Sequence, residues 1–60
     1  MKSSELLRIL KQDGWFEKRQ KGSHAVMVHP TKNGFLVVPK HGSAEVGTGL
    51  ANKILKQAGL

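Results

Sequence analysis

The chain has no cysteine and no tyrosine, and its aromatic rings are limited to Trp15, Phe16 and Phe35. Without cysteine, disulfides and thiolate metal sites are excluded, and redox compartment cannot be read from cysteine usage. No uninterrupted apolar run is longer than Phe35-Leu36-Val37-Val38, far short of the ~20 residues that cross a bilayer. The opening Met1-Lys2-Ser3-Ser4-Glu5 leads into an amphipathic run charged at Arg8 and Lys11. That run lacks the long apolar centre of a signal peptide. These absences predict a soluble cytoplasmic domain with no membrane association.

Acidic residues are scarce too. Ten Lys and Arg against four Asp and Glu leave a net charge of +6 on 60 residues. That length makes residues 1–60 one domain, too short for separate cofactor and substrate domains. A chain of this size buries only roughly 60% of its unfolded surface, so modest stability is expected. The excess positive charge favours an anionic partner: nucleic acid, an acidic protein or an anionic membrane surface.

Leu6, Ile9 and Leu10 follow the i, i+3, i+4 spacing of a helix, and Leu7 widens the stripe. Ser3 or Ser4 is expected to cap its start, and Gly14 its end, which predicts a helix over residues 3–13. Trp15 to Gln20 and His24 to His29 read as strands joined by the turn Lys21-Gly22-Ser23. Asn33-Gly34 signals a second hairpin leading into a strand from Phe35 to Val38. Pro39 cannot donate to a ladder, so this strand ends there or runs along an edge. Residues 39–47 read as a loop. Thr48 is a candidate cap for a second helix with Leu50, Ile54 and Ala58 on one face, ended by Gly59. The order α-β-β-β-α, with short connections, predicts an α+β two-layer sandwich whose two helices cover one face of a three-stranded antiparallel sheet. Leu6, Ile9, Leu10, Leu50, Ile54 and Ala58 are the expected core. The run Phe35 to Val38 presents apolar groups to both sheet faces, which predicts that part of the outer face is covered by self-association or by a partner protein.

The segment Lys18-Arg19-Gln20-Lys21-Gly22-Ser23-His24 gathers the groups that phosphate chemistry needs. Lys18, Arg19 and Lys21 can neutralise phosphates. The backbone around Gly22 and Ser23 can approach a phosphate where no Cβ obstructs it. An imidazole at His24 can carry a proton near neutral pH. Cleavage of RNA by its own 2′-hydroxyl needs a base, cations around phosphorus and an acid for the departing oxygen, and no metal is obligatory. Lys18 and Arg19 have a plainer use as charges that protect a sheet edge from unwanted pairing. His29 and His41 read as bystanders. Strand alternation sends His24, Val26 and Val28 to one face and Ala25, Met27 and His29 to the other, so His24 and His29 point apart, while His41 sits in a loop that could swing near His24. Trp15 and Phe16 could stack on bases, though rings after a helix more often fill a core. The His24 to His29 spacing is not that of a helical zinc site, so no metal and no cofactor are expected. Gly47-Thr48-Gly49 lacks the full phosphate-loop fingerprint and reads as the start of a helix.

The sequence resembles the HicA family, the toxins of HicA–HicB toxin–antitoxin systems. The likeness runs nearly end to end, through Ser3-Ser4-Glu5-Leu6-Leu7, Asp13-Gly14-Trp15, Gln20-Lys21-Gly22-Ser23-His24, His29-Pro30-Thr31-Lys32, Val38-Pro39, Gly47-Thr48-Gly49-Leu50 and Ile54-Leu55-Lys56-Gln57-Ala58-Gly59-Leu60. The resemblance implies a fold like the double-stranded-RNA-binding domain and the activity of an mRNA interferase, a metal-independent endoribonuclease that blocks translation. It implies that His24, the histidine after Gly-Ser, is catalytic. It implies a HicB-type antitoxin that masks the active site, and it leaves room for a higher-order toxin–antitoxin hetero-oligomer. An acidic antitoxin would complement the +6 charge. Many members carry tandem histidines after Gly-Ser; here Ala25 and Val26 follow His24. Lys18, Arg19, Lys21, Gly22 and Ser23 are the expected RNA contacts, with Lys53 and Lys56 as outer ones. A non-catalytic RNA-binding module of the same shape, gripping duplex RNA by its helices and first hairpin loop, also fits the charge and topology. A purely protein-binding domain would show no RNA affinity.

Overall fold

Leu6, Leu7 and Leu10 repeat at helical spacing, and all three are buried along α1, Ser3–Asp13. The computed structural model describes residues 1–40 and 42–60. His41, expected to be able to swing toward His24, lies outside the described residues. Gly14 ends α1 at φ +111°, where an L side chain is strained, and the N–H groups of Gly14 and Trp15 return to the carbonyls of Lys11 and Leu10. This closure satisfies two of the carbonyls that a helix end leaves without partners.

The start of α1 corrects the expected serine cap. Lys2 holds the cap position and no side chain caps the helix. The N–H groups of Ser3 and Ser4 instead donate to the carbonyls of Ala44 and Gly42, and the buried Ser3 hydroxyl donates to the Pro39 carbonyl. The loop after the sheet therefore supplies the acceptors that a cap would have supplied. It is held there by a bridge between Lys2 and Glu45 and by Val46, which is buried in the core.

Three strands follow: β1, Phe16–Lys21; β2, His24–Val28; and β3, Leu36–Pro39. They form an antiparallel sheet in the order β1-β2-β3, so Pro39 ends an edge strand where its missing N–H costs little. The second helix, α2, spans Thr48–Gln57, with Gly47 rather than Thr48 at its cap position and again no side-chain cap. Its end closes as α1 does, with the N–H groups of Gly59 and Leu60 bonded to the carbonyls of Lys56 and Leu55. This α+β order, helix, three antiparallel strands, helix, is compatible with the arrangement of double-stranded-RNA-binding domains. Among the described residues no helix is long and apolar enough to cross a membrane.

Alternation along the strands decides where the core lies. Ala25, Met27, Leu36 and Val38 are buried against Leu6, Leu7 and Leu10 of α1, Ala51 and Ile54 of α2, and Ala58 just past its end. Trp15 is 2% exposed and fills the gap beside the end of α1, as the plainer reading of that ring expected. Phe16 does not join it; β1 pairs Phe16 with Val28 on the opposite face, where it is half exposed. Two expected core residues also differ. Ile9 is half-buried, and Leu50 is exposed in the first turn of α2, although it stands one turn before the buried Ile54 on the same stripe.

The segment after β2 ties the two helix ends together. Among the described residues, His29 is the histidine that builds this tie. Its Nε2–H donates to the Asp13 carbonyl over 2.7 Å, and Nδ1 accepts from the N–H groups of Thr31 and Lys32 at 3.1 and 3.2 Å. Its ring meets Trp15 edge-on at 5.2 Å. The Lys32 ammonium donates to the Asp13 carboxylate over 2.6 Å and to the Ala58 carbonyl at the end of α2 over 2.8 Å. One loop thus satisfies the C-terminal ends of both helices, where a cation also suits the helix dipole. The Gly14→Ala variant would place a Cβ 2.7 Å from His29 Nε2 at a left-handed φ. It is expected to cost about 2 kcal/mol or more from strain and displacement of the histidine, lowering the thermal midpoint by roughly 8 °C or more for a domain of this size.

The hydrogen bond from the Lys32 ammonium, the largest effect, holds the Asp13 carboxyl below the usual carboxylate range; burial opposes it, and the Lys32 charge adds a smaller lowering. A lowered folded-state pKa contributes stability that is full above the unfolded value and is lost as pH falls toward the folded one. The thermal midpoint is therefore expected to drop below about pH 4. In Asp13→Asn that acid-labile part should be missing, so the gap between the two proteins narrows on acidification. A gap that stays constant with pH would show that the Asp13–Lys32 pair contributes nothing.

Candidate nucleic-acid interface

The outer face of the sheet has no helix over it. Its shape begins with the β1–β2 hairpin. Lys21 and His24 are the last paired residues, and Gly22-Ser23 forms the two-residue loop. Gly22 has φ +60° and Ser23 has no positive φ. That is the pattern of a type II′ turn, whose first loop position favours glycine and whose twist suits a hairpin. Gln20 Nε2 donates to the Gly22 carbonyl over 3.0 Å, and the Lys40 N–H donates to the Ser23 carbonyl over 2.7 Å. The loop is thereby braced from both sides. His24 sits at its base, exposed, between Lys21 on one neighbouring strand and Pro39 on the other.

A β-bulge decides which cations join His24. The β1–β2 register shifts between Glu17 and Arg19, so that Lys18 is the extra residue. Glu17 pairs with Met27 on the helix side, and Arg19 pairs with Val26 on the outer side. An unbroken ladder would have placed Lys18 opposite Val26 and turned Arg19 toward buried Ala25. With the bulge, Lys18 and Arg19 both line the outer face, and Lys21 comes beside His24. Bulges of this kind re-aim side chains at the edges of sheets.

These groups border a concavity of about 750 Å³. Lys18, Arg19, Lys21, Gly22 and His24 form its polar end, and Val26, Val37 and Phe35 its floor and far wall. No acidic residue lines it. Two nearby carboxylates are engaged elsewhere: Glu17 pairs with Lys40 at 3.0 Å and Asp13 with Lys32. Among the described residues, Lys18, Arg19, Lys21 and Lys53 have no carboxylate within ion-pair distance. A second, smaller concavity of about 320 Å³ adjoins the first and shares Phe35 and Val37 with it. Lys53 and Leu50 of α2 form its other side.

The expected site residues therefore divide. Lys18, Arg19, Lys21, Gly22 and His24 meet in one place. Ser23 is exposed in the same hairpin loop but lines neither concavity, and Lys53 borders the adjoining one. Lys56 is exposed in the last turn of α2 and lines neither. His29 is on the opposite side of the sheet from His24, as alternation required. Sequence reasoning did not pick out Phe35, Val37 and Val26 as lining residues. The available signal was the apolar run from Phe35 to Val38, of which Leu36 and Val38 go to the core while Phe35 and Val37 stay 65% and 48% exposed. Among the described residues no three His, Asp or Glu side chains gather as a metal site would require.

A basic groove lined by no acidic residue, with His24 at its cationic end, lies on the open face of an α-β-β-β-α domain, and its charge suits an anionic partner. Comparison with known proteins gives the family. The family model described as HicA toxin of bacterial toxin-antitoxin matches residues 3–60. A relative from Pseudomonas fluorescens (strain Pf0-1), described as a probable mRNA interferase HicA, is 43% identical over 60 residues, covering all of this chain and 97% of its own length. The chain belongs to the HicA toxin family.

Proposed function

We propose that this chain is the endoribonuclease of a toxin–antitoxin pair and that it cleaves mRNA in the outer-face groove, with His24 as general acid or base. The observation that carries the reading is the exposure of His24 at the end of a groove where Lys18, Arg19 and Lys21 converge and no carboxylate competes. The relative's description as a probable mRNA interferase supports the same activity.

The chemistry follows from these groups. A base removes the proton of a ribose 2′-hydroxyl, and that oxygen attacks the adjacent phosphorus. The bond from phosphorus to the 5′-oxygen breaks, and an acid protonates the departing oxygen, leaving a 2′,3′-cyclic phosphate and a 5′-hydroxyl. His24 carries one of these two protons. Lys18, Arg19 and Lys21 stabilise the charge that builds on the phosphoryl oxygens, where fixed cations are worth more than in bulk water. Gly22 keeps the hairpin backbone low enough for a phosphate to approach. Lys53 offers an outer phosphate contact. No step requires a metal or cofactor. A HicB-type antitoxin neutralises the toxin by covering this groove; acidic groups on it would match the unpaired cations and speed association.

Purified chain incubated with single-stranded RNA and EDTA is expected to cleave it. His24→Ala should slow cleavage by ~10²–10⁴ with little change in thermal midpoint, because the ring is exposed and outside the core. Equal cleavage by a folded His24→Ala protein would overturn the assignment, and retention of intact RNA by the wild type would favour a non-catalytic RNA-binding module.

Binding should depend steeply on salt. Each of Lys18→Ala, Arg19→Ala and Lys21→Ala is expected to reduce the slope of log K against log salt by about 0.7, the contribution of one phosphate contact to a single strand. Lys11→Ala, whose ammonium faces Glu17 across the helix side, should leave the slope unchanged. Loss of slope at Lys11 and none at the other three would place RNA on the wrong face.

A further inference from the structure

The groove extends beyond the groups that the cleavage reaction uses. From His24 it runs over Val26 and Val37 to Phe35, and past Phe35 into the adjoining concavity bordered by Lys53. Phe35 is 65% exposed, the most exposed large apolar side chain among the described residues. Ring and cation thus occur in sequence along one track: three cations and an imidazole, an apolar floor, an exposed aromatic ring, then a further cation with no carboxylate within ion-pair distance.

We infer that Phe35 is a stacking platform for one unpaired base of single-stranded RNA beside the cleaved bond. The inference rests on the ribonuclease reading and deepens it by naming the strandedness of the substrate and a residue that binds it. Pro39 lies opposite His24 in the β2–β3 register, and Phe35 is four residues before Pro39. At about 3.3–3.4 Å per residue the ring is therefore roughly 13 Å along the sheet from His24. A base held there belongs to a nucleotide near the reacting phosphate and separate from it. Lys53, on the far side of the ring, is placed to hold the phosphate of that outer nucleotide.

Charge argues for RNA as the occupant of this track. An apolar patch made to receive a protein helix needs no cations at both ends, whereas a nucleic-acid strand offers phosphates to the cations and a base face to the ring. The ring can stack only on a base that is free of a duplex. An A-form duplex displays backbone and 2′-hydroxyls to a protein and keeps its base faces inside. The track therefore selects single-stranded or looped RNA, read on the open sheet face and away from the helices.

Short single-stranded oligonucleotides with one cleavage site test this, each with an abasic nucleotide at one position on either side of the scissile bond. Wild type is expected to lose about tenfold in kcat/KM when the base at one particular position is removed, within the range of one stacked base. Phe35→Ala should show that loss already on the intact oligonucleotide and no further loss on the abasic one. Phe35→Trp should retain the wild-type pattern. Cleavage of intact RNA by folded Phe35→Ala at the wild-type kcat/KM, with the same abasic profile, would overturn the inference. Loss of antitoxin neutralisation with cleavage unaltered would do so as well, assigning the ring to a protein contact. Fluorescence anisotropy of the same oligonucleotides on His24→Ala separates the two readings. If wild type fails to cleave yet binding to His24→Ala still weakens about tenfold at one abasic position, the nuclease reading fails alone. If binding is indifferent to every missing base, stacking fails whatever the cleavage result.

Discussion

A three-stranded sheet has two faces, and two short helices can cover only one of them. That constraint shapes the rest of the molecule. Strand alternation sends Ala25, Met27, Leu36 and Val38 to the helices, and the same alternation leaves Val26, Val37 and His24 on the side that neither helix covers. With one thin core, the ends of the elements must be secured by polar contacts. His29 and Lys32 do this at one end by holding Asp13 and Ala58, and Ser3 and Ser4 do it at the other by binding the loop after β3. All of these contacts lie off the open face. His29, which holds a helix end, and His24, which faces the groove, lie on opposite sides of the sheet.

Charge follows the same division. Carboxylates that could neutralise the basic groups are drawn to the helix side, Asp13 to Lys32 and Glu17 to Lys40 and Lys11. The bulge in β1 turns Lys18 and Arg19 together toward the groove. A regular strand would have spent one of those two cations against the core. The open face is consequently basic at its hairpin end and apolar beyond it, with Lys53 of α2 bordering the adjoining concavity, an arrangement suited to a strand of phosphates and bases.

Much of the fold was legible in the sequence. The boundaries of α1 follow from the leucine spacing and Gly14, and the separation of His24 from His29 follows from a period of two. What could not be read depended on contacts distant in sequence. The serines that look like caps are served by carbonyls some forty residues on, in the loop after β3. His29 reads as a bystander because the Asp13 carbonyl it holds is identifiable only once β2 is paired. The bulge leaves no mark in the residue pattern, since Lys-Arg-Gln-Lys is polar throughout, so its effect on Arg19 was invisible. In the site, the Gly-Ser-His hairpin and its cations were legible from local chemistry. Phe35 was hidden in an apolar run whose two faces look alike until the helices choose one.

The account stands on RNA occupying the open sheet face. Amide chemical-shift mapping with a single-stranded RNA that carries a 2′-deoxy nucleotide at the cleavage site, so that it binds uncut, tests this most directly. The expected result is a continuous set of perturbed amides from Lys18 through His24 and Val37 to Phe35, with the solvent side of α1 unaffected. Perturbations confined to α1, α2 and the Gly22-Ser23 loop, with β2 and β3 silent, would contradict it.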